Sequence, residues 1–234
     1  MFVTRIAVSQ SNYLPWPGYF DLIRQVDTFV FYDIVQYTKN DWRNRNKIKT
    51  ENGLHWITVP VLHSDLNQSI DSTKIASAHW KKKHWNTISQ AYAKSPYFYQ
   101  YSDFFADIYN RDWDNLSEFN QMLTVEICNF LNIKTKFMCS SEMKLQGDRN
   151  QRLLQICQLL DAKIYVSGPA ASSYLNIAIF GAQNIKIEWM NYADYGPYKQ
   201  QHGDFISGTS IIDLLLNEGP KSSLFLTGNT HDSF

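Results

Sequence analysis

Short apolar runs separated by turn residues organise this chain. Val3–Val8 reads as a first buried strand and Thr28–Asp33 as a second. Between them Pro17 opens a helix through Gln25, since proline suits the first helical turn. Apolar spacing predicts helices over 79–93, 99–110, 116–131 and 149–160; in the third, Leu116, Phe119, Leu123, Ile127 and Phe130 form one stripe. Further strands are predicted at 134–139, 163–167 and 185–190. A last helix starts at Ser210, where Ser210 and Asp213 resemble a capping box, and stops at Gly219-Pro220.

The clearest local unit is a hairpin. Residues 42–50 and 54–61 flank Asn52-Gly53, the pair best suited to a two-residue turn. That turn sets Lys49 opposite Trp56, Lys47 opposite Thr58 and Arg45 opposite Pro60. Alternation sends Arg43, Arg45, Lys47 and Lys49 to one side, and Ile48, Ile57, Val59 and Val61 to the other. A basic ladder backed by an apolar face is expected. After the hairpin, strands and helices alternate. The fold class is therefore α/β: a mostly parallel sheet with flanking helices and an inserted antiparallel β-hairpin. Residues 1–222 form a single α/β domain in this reading, with 79–131 a candidate helical lobe and 223–234 a frayed tail.

Formal net charge is zero, which argues against a nucleic-acid partner or an electrostatic hold on membranes. The balance is locally broken. Lys39, Arg43, Arg45, Lys47 and Lys49 face only Asp41 within 39–49. A neutral protein with such a patch suits a small anionic substrate, such as a nucleotide or diphosphate. Cys128, Cys139 and Cys157 have no paired spacing and read as reduced thiols. The opening apolar run is too short for a signal peptide, and no segment reaches membrane-spanning length. A cytoplasmic protein without membrane insertion is expected.

Two runs are dense in Asn, Gln, Tyr, Trp and Arg: Ser9–Phe20 and Asp33–Asn46. Such side chains stack on sugars and bases and orient them. The substrate-binding candidates here are Gln10, Asn12, Tyr13, Trp16, Gln36, Trp42, Arg43 and Arg45. The strand at 163–167 runs into Gly168-Pro169 and a helix start, a geometry that offers backbone N–H groups to a phosphate. The P-loop lysine and spacing are absent. His84, on a predicted helix beside Lys82 and Lys83, is the candidate general base. Asp33, at a strand end, is the second catalytic candidate, and His202 before Gly203 a further ligand contact. Cys139, after Phe137 and Met138, reads as a packed thiol. The six histidines show no metal-ligand spacing, and the residues name no cofactor.

Several blocks resemble the WbqC-like protein family. They are SQSNYLPWPGYFDLI (Ser9–Ile23), VFYDIVQYTKNDWRNRNKIKT (Val30–Thr50), HWITVPV (His55–Val61), KKHW (Lys82–Trp85), SPYF (Ser95–Phe98), NIKTKF (Asn132–Phe137), VSGPAASSYL (Val166–Leu175) and SIIDLLLNEGP (Ser210–Pro220). Together they cover nearly the whole chain in register. Three departures stand out. Ser9-Gln10-Ser11 replaces the family's His-Gln-Pro, Asp33-Ile34 replaces two adjacent acids, and Gln151 precedes Arg152 where an acid is common. The resemblance implies a role in bacterial surface polysaccharide synthesis of the O-antigen type. It further implies a nucleotide-linked amino sugar as substrate, acyl or aminoacyl transfer to its amine, and an acyl-CoA or carrier-protein donor. The residues leave two alternatives open, a nucleotidyl-transfer or adenylate-forming enzyme and a non-catalytic sugar-nucleotide-binding module.

Overall fold

The computed structural model describes residues 3–63, 65–193 and 195–232. Its sheet has β1 (Arg5–Ser9) at the centre, flanked by β2 (Thr28–Phe31) and, much later in the chain, by β6 (Ile164–Ser167). Strand β5 (Lys136–Cys139) lies outside β2; β7 (Lys186–Asn191) and then β8 (Asn229–Asp232) lie outside β6. All pairs are parallel except β7–β8. A hairpin of β3 (Arg45–Thr50) and β4 (Gly53–Thr58) stands apart as a separate two-stranded sheet. The mixed α/β class, the mostly parallel sheet and the inserted hairpin all match expectation. Chain order steps outward from β1 through β2 to β5, then restarts at β6. Strand order thus reverses between β1 and β6, and in such sheets ligands bind outside the C-terminal strand ends at that point.

Alternate residues of each strand feed two apolar layers. Ala7, Phe29, Phe31, Val166 and Met190 belong to one layer with residues of α1 (Pro17–Arg24), α4 (Leu116–Phe130) and α7 (Ile211–Glu218). Ile6, Val8, Val30, Tyr165 and Ile187 belong to the other with α5 (Arg149–Leu159) and α6 (Ile177–Gly181). The first layer also contains α2 (His79–Tyr92) and α3 (Phe98–Asn110), through Trp80, Tyr92 and Phe105. Residues 79–131 therefore share a core with the sheet.

Three local expectations are corrected. In the hairpin Arg45 pairs with Thr58, Lys47 with Trp56 and Lys49 with Leu54, a shift of two residues. A two-residue turn at Asn52-Gly53 needs both residues at positive φ. Only Gly53 has it, at +91°, so Glu51 and Asn52 make the bend and Gly53 closes it in the manner of a bulge. The described part of the tail, through residue 232, is tied down rather than frayed: Arg24 and Gln25 donate to the Gly228 carbonyl, and 229–232 pair with β7. Finally, Ser210 caps α7 through Ile212, while Asp213 turns inward to Tyr92 and Tyr198. The complete capping box lies at α5 instead, between Asp148 and Gln151.

Candidate functional site

The parallel register places Gln10, Asp33 and Gly168, which follow β1, β2 and β6, on the same C-terminal edge. Asp33 is buried there, and its carboxylate accepts from the Ser11 backbone N–H at 2.7 Å, the Gln121 amide at 3.0 Å and the Ser117 hydroxyl. It thereby joins the β1 loop to α4. Each of its two oxygens accepts from a protein donor. Gln10 accepts at its carbonyl from the Tyr19 hydroxyl, which fixes the loop without using the Gln10 side chain.

A cleft of about 410 Å³ opens between the segments that follow β1 and β7 and the approach to α7. Its walls include Trp16, Tyr192, Tyr195, Tyr198 and Phe205, with Ser207, Gly208 and Thr209 supplying polar atoms. Trp16 meets Tyr192 and Tyr195 edge-on, with centroids 5.0 and 5.7 Å away. Gly168 adjoins this wall: a Cβ there would sit 3.7 Å from the Tyr192 hydroxyl. Tyr198 is anchored behind the cleft by donating to Asp213 at 2.8 Å, and Tyr92 donates to the other carboxylate oxygen at 2.8 Å. Burial pushes the Asp213 carboxyl up, against the pull of those two hydroxyls. Aromatic faces with a few hydroxyl and backbone groups suit a sugar or base.

Gly18 makes room for the Trp16 ring, since an added Cβ would stand 2.3 Å from it. Alanine favours a helix over glycine, so Gly18→Ala should cost little helix stability but drive the partly exposed indole out of the wall. We expect ligand affinity to fall by roughly tenfold, the worth of one aromatic contact. Titration of Gly18→Ala beside Trp16→Ala checks this; equal affinity to wild type would remove Trp16 from the site.

His84 lies elsewhere. It is 4% exposed, ringed by Trp80, Tyr13 and Tyr109, and is not among the residues that line the aromatic cleft. Its Nδ1 shares a hydrogen bond with the Tyr13 hydroxyl at 2.9 Å. Tyr13 in turn stands 2.5 Å from the Tyr109 hydroxyl. Burial lowers the His84 pKa to about 4. A neutral imidazole buried among these rings is set apart from the aromatic cleft. Tyr13, fully buried, is likewise unavailable for stacking.

The hairpin forms a second surface. Trp42 and Trp56 are exposed with centroids 5.5 Å apart, and Arg45 lies 4.3 Å over Trp56. Lys47 completes the patch 5.1 Å from Trp56. The ladder stops there. Lys49 is buried and donates to the Gly203 and Asp204 carbonyls. Arg43 is held by Asn12 and by Asp41 at 3.6 Å. Gln36 is exposed and donates to the Leu66 carbonyl, and His202 is exposed with Nε2 2.7 Å from the Ala91 carbonyl. Trp16 and Gly168 are thus brought beside the cleft, while Trp42 and Arg45 form their own patch. Sequence reasoning missed Tyr192, Tyr195 and Tyr198. The run Asn191–Tyr198 has the same polar-aromatic texture as the earlier two, and that signal could have found them. Among the described residues no group of three or more His, Cys, Asp or Glu comes together that could hold a metal ion. None of their helices is long and apolar enough to cross a membrane.

The model of the WbqC-like protein family matches residues 10–224. An uncharacterized protein of Mycobacterium tuberculosis, Rv1507c, is 43% identical over 224 residues, covering 95% of this chain and 97% of its own length. No solved structure matches the chain.

Proposed function

Because the chain belongs to the WbqC-like protein family, we propose that it acts on a nucleotide-linked amino sugar during assembly of bacterial surface polysaccharide of the O-antigen type. The observation that carries this reading is the aromatic cleft beside the Gly168 turn, at the edge where strand order reverses. Trp16, Tyr192 and Tyr195 offer faces to the sugar or base. The reaction proposed is transfer of an acyl or aminoacyl group to the sugar amine from an acyl-CoA or carrier-protein donor, in the cytoplasm.

A second reading is a non-catalytic sugar-nucleotide-binding module. It is favoured by the described cleft lining, which carries no carboxylate, imidazole or thiol. A thermal-shift screen of nucleotide amino sugars, acyl-CoAs and ATP separates the readings. Ligand at 100 times its Kd adds about 2.7 kcal/mol to native stability, which is roughly 5–11 °C for a chain of this size. A nucleotide amino sugar should give that shift, and mass spectrometry with the donor present should then detect an acylated sugar. Binding without product in the presence of every donor would support the module. A shift from ATP alone, with pyrophosphate release, would support nucleotidyl transfer or adenylate formation instead. No shift from any nucleotide sugar would contradict the proposal.

A further inference from the structure

Tyr32 follows β2 at the C-terminal edge, within the layer that also contains α5. Its side chain is only 6% exposed, yet its hydroxyl completes no well-formed hydrogen bond among the described residues; only the Arg152 guanidinium approaches it as a donor. A guanidinium cannot accept, and buried hydroxyls are almost always satisfied, so the phenol proton is left for an absent acceptor. Two arginines bring positive charge to it. Arg152 and Arg149, from the first turn of α5, lie close enough that their guanidinium groups oppose the rise that burial imposes on the phenol. Arg149 is spread over the Tyr174 ring at 4.4 Å, and Arg152 is steadied by donating to the Gly147 carbonyl at 2.7 Å. No ion pair holds either arginine among the described residues. The Asp148 carboxylate accepts from the Gln151 backbone instead.

We infer that Tyr32, Arg149 and Arg152 form an anion subsite for the phosphate groups of a bound ligand. The phenol and two guanidiniums are donors, and the N-terminus of α5 adds its own positive end. The subsite belongs to the sheet face opposite α1, whereas Trp16 leads into α1 on the first face. A ligand crossing the edge would place its diphosphate on one side of the strand-order reversal and its ring on the other. This deepens the proposed function and rests on it only for the identity of the rest of the ligand.

The test uses inorganic pyrophosphate, which has no ring to fill the aromatic cleft. Affinity is measured calorimetrically at two salt concentrations for wild type, Arg149→Gln/Arg152→Gln, Tyr32→Phe and the exposed control Lys221→Gln. Wild type and control should bind alike and more weakly at high salt. The double variant should lose at least about tenfold, and Tyr32→Phe about three- to tenfold. Tyr32→Phe deletes one oxygen and no well-formed hydrogen bond, so it folds even where the arginine pair is not tolerated. Overturning results are absence of pyrophosphate binding to wild type, or unchanged affinity in both Tyr32→Phe and the double variant. Loss of pyrophosphate affinity in a protein that binds no nucleotide sugar would uphold the subsite and remove the sugar-nucleotide reading. A nucleotide sugar bound equally well by wild type and the double variant would do the reverse.

Discussion

Asp33→Ala should destabilise the fold by about 3–5 kcal/mol, because each buried donor left unpaired costs about 1–3 kcal/mol. Three donors lose their acceptor: the Ser11 N–H, the Ser117 hydroxyl and the Gln121 amide. For a chain of this size the melting temperature should fall by roughly 6–20 °C. Asp33→Asn should fall between, since it keeps one acceptor oxygen but turns an amide toward donors. Thermal melts of the three proteins check this. A variant as stable as wild type but unable to bind ligand would return Asp33 to the ligand-contacting set and refute its positioning role.

The second large effect is a loss of stability in acid through His84. Its pKa is about 4 in the folded protein against 6.5 unfolded. The unfolded chain therefore binds a proton between these values that the native state refuses. The stability is fully present above pH 6.5 and is lost as pH falls toward 4. A shift of this size corresponds to about 3 kcal/mol. His84→Gln cannot titrate. It should be less stable than wild type at pH 7.5, since it disturbs the bond to Tyr13 and the packing against Trp80, but its stability should fall less by pH 4.5. Urea denaturation at both pH values measures the difference. Equal losses in the two proteins would show that His84 is not held neutral.

How far the sequence was legible depended on the range of the interactions. The strands at 163–167 and 185–190 and the stripe of 116–131 follow from local periodicity, and the structure has them within a residue or two. The turn at 50–53 was misread because Asn-Gly fits both a two-residue turn of its own and the end of a bend closed by Gly53, two geometries with different strand registers. The tail was misread because what holds it is distant: the Asp21 carboxylate accepts from the Gly228 N–H across 207 residues. His84 looked catalytic for a similar reason. A histidine beside lysines on an amphipathic helix has the same spacing whether it faces a cleft or a tyrosine 71 residues away. At the site, the loop after β1 and the Gly168 turn were visible as strand-end signals. The polar-aromatic run at 191–198 marks Tyr192 and Tyr195 as candidates, but nothing local says that they and Phe205 will wall one cleft with Trp16.

The central claim is that ligand binds at the C-terminal edge where strand order reverses. Backbone hydrogen exchange, with and without the nucleotide amino sugar that gives the largest thermal shift, tests it most directly. The account predicts slower exchange in 9–18, 167–174 and 195–209, with the hairpin 42–58 unchanged. Slowing confined to the hairpin, around Trp42 and Trp56, would contradict it and move the site to the exposed basic patch.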